Sequence, residues 1–151
     1  MGDTALEEAK AASTAQLLFK VARLWNEAAV RRARIRFALP GLRPSHLALM
    51  PHLDLDGTRL TTLAERLGVS KQAAGQLVDD LVGMGLLDRR PDPADRRAVL
   101  ITFTERGRRG LLEGLGELSA MEAELASVVG VEEMGELRRV LAALLPLVER
   151  A

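Results

Sequence analysis

Apolar residues along the chain recur at helical spacing in several separate stretches. From Ser13 onward they fall on one face of a helix at the i, i+3, i+4 spacing, which predicts a first helix over residues 14–36. Pro40 and Gly41 then break the pattern, and a short second helix is expected over residues 46–51. This part of the chain is therefore predicted to be a long amphipathic helix, a tight connection and a short helix.

The next stretch has the pattern of a helix-turn-helix. Thr61 is placed to cap a helix over residues 62–67, and Gly68 suits the left-handed position that ends it. After a short turn, Ser70 caps a longer helix over residues 71–84. Two short helices joined by a tight glycine-containing turn are a common unit whose second helix can enter a DNA major groove.

The second helix of this unit carries polar residues on its outer face. Its inner face is apolar and packs on the core, which leaves five residues pointing outward: Lys71, Gln72, Gly75, Gln76 and Asp79. The amide of Gln can bond adenine bidentately, and Lys can contact guanine or phosphate. A solvated face of a purely structural helical domain has the same composition, so these residues alone leave both interpretations open.

A hairpin is predicted directly after the helix-turn-helix. Residues 86–90 can form a strand, residues 91–95 are dense in turn formers, and residues 99–103 alternate as a second strand does. Arg96 and Arg97 lie beside the turn. A guanidinium at this position can enter a narrow A·T-rich minor groove, so the hairpin is interpreted as a wing.

The wing arginines also have a structural interpretation. A pair of Arg97 with Asp92 or Asp95 would make the hairpin more rigid, although an exposed pair of this kind typically contributes only about 0–1 kcal/mol. The two roles are compatible, because one arginine can brace the hairpin while the other reaches the duplex.

Two further helices are predicted after the hairpin. Thr104 opens a long helix with leucines at near-heptad spacing, Gly130 interrupts it, and a last helix covers residues 132–149. These apolar stripes exceed what a small winged helix needs for its own core, so we expect a homodimer. The leucines expected at its interface are Leu17, Leu137, Leu141, Leu144 and Leu145.

The expected fold is therefore mostly α with a small β-hairpin wing. It is a winged helix-turn-helix whose terminal helices form a dimerisation lobe. The expected organisation is a disordered or frayed segment over residues 1–12, a dimerisation helix over 13–39, a DNA-binding winged helix-turn-helix over 40–104 and dimerisation helices over 105–151.

Composition removes several classes of function. The chain has 151 residues, of which 48% are hydrophobic, and no cysteine, which excludes disulfides, thiolate metal sites and a cysteine nucleophile. It has no serine-hydrolase, metalloprotease or phosphate-loop motif and only two histidines, so we expect no catalysis, no cofactor and no bound metal. Without a long apolar run or a basic leader, we expect a cytoplasmic protein.

The net charge of zero conceals a strong asymmetry along the chain. Residues 20–36 hold six basic groups against one acidic group, and residues 86–110 hold seven arginines against four acidic groups. Residues 111–151 hold eight glutamates against three arginines. One surface of the protein can therefore face phosphates while the acidic end keeps the rest soluble.

Three stretches together resemble the MarR family of bacterial transcriptional regulators. They are LAERLGVSK from Leu63, GLLDRRPDPADRRA from Gly85 and TFTERG from Thr102. The specific part is the Asp-x-Arg at the wing, Asp95 and Arg97, followed by strand residues and a Thr-x-x-Gly helix start. The resemblance covers nearly the whole chain in order, and it implies double-stranded DNA as the partner.

The resemblance also assigns roles to residues. It implies that Lys71, Gln72 and Gln76 face the major groove and that Arg97 reaches the minor groove. Gly75 and Gln76 depart from the family, which often has a small hydroxyl residue and an Arg there. The full set of expected DNA contacts is Ser70, Lys71, Gln72, Gln76, Arg90, Arg96 and Arg97.

Family members typically repress a neighbouring or divergent gene as homodimers on a palindrome. Many release DNA when a small aromatic or phenolic molecule binds in a crevice lined by the first two helices and the start of the long helix. The candidates for such a site are Arg23, Trp25, His46 and Met50. Trp25 also fits a core position, and a lone His in the first turn of a short helix is also typical of a structural residue.

Two alternatives remain open at this point. A metal-responsive regulator would use His46, His52, Asp54 and Asp56, although the His-x5-His spacing does not place two ligands on one helix face. A winged helix that binds protein rather than DNA is the other alternative, which the wing arginines disfavour.

Overall fold

The structure is a computed structural model that describes residues 3–150. Its helices are α1 (Asp3–Ala12), α2 (Thr14–Arg36), α3 (Pro44–Leu49), α4 (Leu60–Leu67), α5 (Lys71–Gly83), α6 (Glu105–Val129) and α7 (Val131–Val148), and its strands are β1 (Thr58–Arg59), β2 (Leu87–Pro91) and β3 (Val99–Phe103). A 3₁₀ turn covers Met50–His52. The chain divides into two compact units, of which the first ends at Leu111 and the second begins at Leu112.

The first unit holds an apolar core between short helices and a small sheet. Its sheet is antiparallel in the order β1-β3-β2, with Thr58 opposite Ile101 and Leu87 opposite Phe103. The largest fully buried apolar side chains come from α2, α3, α4, α5, β2 and β3, and they are Val30, Leu49, Leu63, Val78, Leu81, Leu87 and Ile101. Burying each of the leucines contributes about 1.5–3 kcal/mol, so this core holds the helix-turn-helix and the hairpin together.

The mostly helical winged helix-turn-helix predicted from the sequence is confirmed, with shifts at several element ends. The helix predicted over residues 14–36 is α2, with the same bounds. As predicted, Gly68 ends α4 in the left-handed conformation, at φ 65°. However, Arg59 rather than Thr61 is the N-cap of α4, because residues 58 and 59 pair with β3 as a third strand. A two-residue strand has no alternation of its own, and the sequence pattern therefore could not reveal it.

The segment over residues 1–12 differs from the expectation of a disordered or frayed N-terminus. Met1 and Gly2 lie outside the described residues, but Asp3–Ala12 forms helix α1. Its Ala, Leu, Glu and Lys residues favour a helix, and Lys10 Nζ donates to Glu7 Oε1 at 3.1 Å. None of its residues is buried, so packing in the core does not explain this helix.

The start of α6 is held by hydrogen bonds to Gly85 and Leu86, which lie between α5 and β2. The Thr104 hydroxyl donates to the Gly85 carbonyl at 2.7 Å and accepts from the Gly107 backbone N–H at 2.9 Å. The Thr104 backbone N–H donates to the Leu86 carbonyl at 3.1 Å. A Cβ on Gly107 would overlap that same Leu86 carbonyl oxygen, so the Thr-x-x-Gly pattern is explained by a helix end packed directly on backbone.

The second unit contains the rest of α6 and all of α7. Among its described residues, Met121 is the only buried one, and the leucine and valine side chains of α7 are all exposed. Glu122 of α6 accepts from Arg138 of α7 at 2.8 Å. In the part of the chain that the structure describes, no helix is both long enough and apolar enough to cross a membrane.

We predict that Gly107→Ala destabilises the protein. The new methyl group must displace the Leu86 carbonyl, and overpacking of this kind typically costs about 1–3 kcal/mol. Gly116→Ala in the same helix is the control, because nothing lies within 4 Å of a Cβ there and Ala is the better helix former by about 1 kcal/mol. Equilibrium urea unfolding measures both variants, and equal stability of the two would contradict the close approach.

Candidate nucleic-acid interface

The outer face of α5 presents the polar residues that the sequence analysis selected. Ser70 is the N-cap, and its Oγ accepts from the Ala73 backbone N–H at 3.1 Å. Lys71, Gln72 and Gln76 are exposed, whereas the inner face is buried through Ala74, Val78 and Leu81, as predicted. The early backbone N–H groups of this helix and the Lys71 ammonium suit an anionic partner.

One member of this exposed face belongs to a side-chain cluster, which we call the Asp80 cluster: Arg43, His46, Gln76 and Asp80. Asp80 Oδ2 accepts from the Arg43 guanidinium and lies 3.1 Å from His46 Nε2. Its other oxygen, Oδ1, accepts from Gln76 Nε2 at 3.2 Å. The cluster therefore joins the residues at the start of α3 to the exposed face of α5.

The protonation states in the Asp80 cluster follow from its hydrogen bonds. His46 is fully buried, and its Nδ1 accepts from the Arg43 backbone N–H at 3.0 Å, so the ring proton lies on Nε2 and is donated to Asp80. Burial lowers the pKa of His46, against the raising effect of its hydrogen bond to Asp80. The hydrogen bond from His46, followed by that from Gln76, lowers the pKa of Asp80. Neutral His46 and ionised Asp80 are therefore the stable pair.

An open cavity of about 470 Å³ lies beside the Asp80 cluster. It is lined by Gly41, Arg43, Gln76, Asp80 and Met84. The carboxylate of Asp80 is therefore reachable from solvent, while its charge is matched by Arg43.

The wing is fixed to the first unit through a buried carboxylate. Asp92, at the start of the turn between β2 and β3, accepts from Arg59 at 2.7 Å (Nε) and from the Ala94 backbone N–H at 2.8 Å. Asp92 is only 6% exposed. The hydrogen bond from Ala94, and then that from Arg59, lowers the pKa of Asp92. The sequence analysis offered Asp92 or Asp95 as the aspartate that pairs with Arg97 and makes the hairpin rigid. In the structure Asp92 has this role, but its partner is Arg59.

The wing arginines face solvent. The Arg97 guanidinium is 94% exposed and approaches Asp95 Oδ1 only at 3.6 Å, whereas the Arg97 backbone N–H donates to that same oxygen at 3.1 Å. Asp95 therefore shapes the turn chiefly through the backbone. Arg96 is exposed as well, and Arg90 Nε lies 3.3 Å from Asp88 Oδ2.

A fourth arginine of the wing, Arg89, ties β2 to α5. The guanidinium of Arg89 donates to Asp79 at 2.7 Å and to the Gly75 carbonyl at 3.4 Å. This pair fixes the base of the wing relative to α5 within the first unit. Contacts of Arg59 and Arg89 thus set the wing geometry, while Arg96 and Arg97 remain available for a partner.

The four candidate effector residues lie in different environments. Arg23 is exposed and pairs with Glu27 at 2.6 Å, while Trp25 is half-buried. Met50 packs against the apolar core, and His46 belongs to the Asp80 cluster. None of these four residues is among the described residues that line the open cavity beside the Asp80 cluster.

Two of the four residues weighed as metal ligands, His46 and Asp54, have other partners. Asp54 accepts from Thr58 and from Arg66, the latter at 2.9 Å, and His46 is engaged with Asp80. Across residues 3–150 there is no group of three or more His, Cys, Asp or Glu side chains that could hold a metal ion. The contacts made by Asp54 and His46 therefore give no support to the metal-responsive alternative.

Sequence reasoning missed the residues that organise the interface. Asp80, Arg43 and Arg59 were not selected, because each pairs with a residue 33 or more positions away. The i, i+4 spacing of Gln76 and Asp80 was the one local signal, since residues four apart share a helix face.

We predict that the free energy of unfolding falls as the pH is lowered below about 6.5, the ordinary histidine value. The folded pKa of His46 is lowered, so the unfolded chain binds the extra proton first, and stability is lost between the unfolded and the folded pKa. One proton gives a slope of at most about 1.4 kcal/mol per pH unit. His46→Gln keeps a donor for Asp80 and removes this slope.

Urea unfolding between pH 7 and pH 5 measures the effect. His52→Gln is the control, because it removes the other histidine from outside the Asp80 cluster. An identical pH dependence in wild type and His46→Gln would show that His46 is not the group responsible.

Comparisons with known proteins identify the fold. A MarR family model matches residues 41–98. An uncharacterized protein of Mycobacterium tuberculosis is 44% identical over 48 residues, and the matched segment spans about a third (34%) of that relative's length.

Two solved structures are similar over most of the chain. A MarR family transcriptional regulator from Rhodococcus sp. RHA1 has 25% identity and a TM-score of 0.67, with 86% of this chain and 90% of that chain covered. CouR from Rhodococcus jostii RHA1, solved with p-coumaroyl-CoA bound, has 25% identity and a TM-score of 0.66, with 89% and 92% covered. The match to the family model covers α5, β2 and the turn of the wing, and the fold is that of the winged-helix transcriptional regulators of the MarR family.

Proposed function

We propose that the protein is a homodimeric, sequence-specific DNA-binding regulator of transcription, most simply a repressor. The observation that carries the proposal is the pairing of a polar, exposed α5 face with a braced wing whose tip arginines face solvent. On this proposal α5 enters the major groove and the wing reaches the adjacent minor groove. The protein then works where bacterial DNA lies, in the cytoplasm.

The proposed contacts divide into two kinds. Lys71, Arg90 and Arg96 carry exposed positive charge and contact phosphates, together with the helix start at Ser70, so they set affinity rather than sequence. Gln72 and Gln76 present amides that read base edges. The structural brace of the wing is Arg59–Asp92, which leaves Arg97 for the minor groove.

Selection from a random duplex library at low salt tests DNA binding. We expect a near-palindromic site with half-sites about one helical turn apart, ~10–11 bp. The logarithm of the association constant is expected to fall with the logarithm of salt concentration by about 0.9 per neutralised phosphate. Recovery of no enriched duplex would contradict the proposal.

We propose dimerisation because helices outside the winged helix-turn-helix have exposed apolar side chains. The α7 leucines Leu137, Leu141, Leu144 and Leu145 are 40–59% exposed, and Leu17 of α2 is 60% exposed. In the described part of the second unit only Met121 is buried, which is too little apolar burial for two long helices in water. A second copy of this chain is the occupant that a palindromic site requires.

We also propose that a small aromatic or phenolic molecule releases the regulator from DNA. The similar structure of CouR was solved with p-coumaroyl-CoA, which supports an effector of this chemical class. Arg23, Trp25, His46 and Met50 remain the proposed contacts, although His46 would have to act through the Asp80 cluster because it is fully buried. A thermal-shift screen with aromatic carboxylates and phenols tests this part.

We predict that Leu141→Glu converts the dimer to monomer at micromolar concentration. A charge at the centre of the α7 apolar stripe would have to be desolvated at the interface, which costs several kcal/mol. Arg139→Ala on the opposite face of α7, where Arg139 pairs with Glu136, is the control and should leave the dimer intact. Sedimentation equilibrium distinguishes them, and a monomeric wild-type protein would contradict the proposal.

We predict that Arg97→Ala weakens binding and relaxes the preference for A·T pairs at the outer flanks of the site, while the core preference is kept. Fluorescence anisotropy with flank-substituted duplexes measures this. Asp95→Ala is the matched control, because it removes the carboxylate 3.6 Å from Arg97 and keeps the guanidinium. Equal losses of affinity in both variants, with no change in flank preference, would make Arg97 a purely structural residue.

A further inference from the structure

We propose that Asp80 is a specificity-determining positioning residue: it orients the amide of Gln76 so that α5 selects adenine at one position of each half-site. This inference rests on the proposed function, because it concerns the DNA contacts of the same helix. It assigns to Asp80 an effect on base choice without direct contact to a base.

The orientation follows from what each atom can donate or accept. Asp80 Oδ1 lies 3.2 Å from Gln76 Nε2, and a carboxylate can only accept. The reversed amide would place Gln76 Oε1 against Asp80 Oδ1, which is an unfavourable contact of two acceptors. One amide orientation is therefore selected before any DNA binds.

The carboxylate itself is held by two donors from outside α5. His46 donates from Nε2 at 3.1 Å, and the Arg43 guanidinium donates to the same Oδ2. His46 is fully buried and its Nδ1 is occupied by the Arg43 backbone N–H. These contacts fix the position of the Asp80 carboxylate, so the hydrogen-bond acceptor of Gln76 is also fixed.

The free groups of Gln76 then match one base. With one amide hydrogen given to Asp80, the Oε1 acceptor and the second amide hydrogen remain. Adenine presents a donor at N6 and an acceptor at N7 in the major groove, whereas guanine presents two acceptors at O6 and N7. The amide that Asp80 orients complements adenine, and guanine would leave Oε1 facing an acceptor.

Gln72 provides an internal comparison. It is exposed on the same helix, one turn before Gln76, and among the described residues its amide has no hydrogen-bond partner. Both amide orientations are open to it, so it can adapt to different bases. The inference assigns the adenine preference to Gln76 alone.

The experiment uses the duplex selected by the wild-type dimer. Gln76→Ala first identifies the position at which adenine preference depends on Gln76, and the ratio of Kd for guanine over adenine is then measured there. A bidentate contact corresponds to about 5- to 150-fold discrimination. Asp80→Asn should reduce the ratio to about threefold or less, because the Asn oxygen stays against Arg43 and His46 and its NH2 group then faces Gln76, where it can no longer accept the amide hydrogen of Gln76.

Asp56→Asn is the matched control, because it makes the same exchange and removes one negative charge at an exposed residue that lies outside α5, the wing and the Asp80 cluster. It should keep the wild-type ratio. In the Gln76→Ala background, Asp80→Asn should change the ratio no further, since the effect passes through Gln76. An unchanged ratio in Asp80→Asn, or a further change in the double variant, would overturn the inference.

A measurement on the unmodified protein covers the case in which Asp80→Asn fails to fold. Side-chain amide ¹⁵N relaxation should show the Gln76 amide ordered and the Gln72 amide mobile in the free protein. Equal mobility of the two would overturn the inference. Failure of the wild type to bind any duplex overturns the proposed function as well, whereas DNA binding with discrimination independent of Asp80 overturns only the role of Asp80.

Discussion

The hydrogen bonds to Asp80 are the interaction on which the interface depends. One carboxylate accepts from Arg43 and His46 through Oδ2 and from Gln76 through Oδ1. The first two partners lie at the start of α3 and the third lies on the exposed face of α5. Helix α5, which carries the proposed DNA-binding face, is therefore connected to the residues at the start of α3 by the same carboxylate that accepts from Gln76.

A second carboxylate, that of Asp92, holds the wing in place. Asp92 is nearly fully buried and accepts from Arg59, at the N-cap of α4, and from the backbone of its own turn. A hairpin with only two strands is marginal in water, and the Arg59 contact together with pairing of β1 gives it a third strand and a fixed base. The structural pairs thus use the carboxylates of Asp80 and Asp92, while Arg96 and Arg97 remain exposed.

Local sequence patterns predicted the elements well, because caps and glycines leave local signals. Ser70 caps α5, Gly68 adopts a left-handed conformation, and the α2 bounds follow the apolar periodicity. Pairings distant in sequence could not be predicted this way. Arg59–Asp92 and Arg43–Asp80 join positions more than thirty residues apart. For the wing, the sequence therefore suggested Arg97 as the partner of a turn aspartate, because Arg97 is close to it along the chain. Lys71, Gln72 and Gln76 are exposed, as the pattern predicted, whereas the contacts of Arg43 and His46 with Asp80, which also accepts from Gln76, depend on the tertiary fold.

The two units also differ in how many of their apolar side chains are buried within the single chain. Residues up to Leu111 include a continuous buried cluster, whereas in the described part of the second unit Met121 alone is buried. Long amphipathic helices of this kind gain most of their stability from packing rather than from propensity. Association with a second copy would supply that packing and would also duplicate α5 and the wing, as a palindromic site requires.

We propose that the α5 face and the wing together form the DNA-binding surface. Backbone amide chemical-shift mapping of the ¹⁵N-labelled protein, titrated with a short duplex, tests this surface residue by residue. We expect the largest shifts to cluster at residues 70–76 and 90–97, with α7 little affected. Shifts that spare both segments, or that concentrate on the second unit, would contradict it.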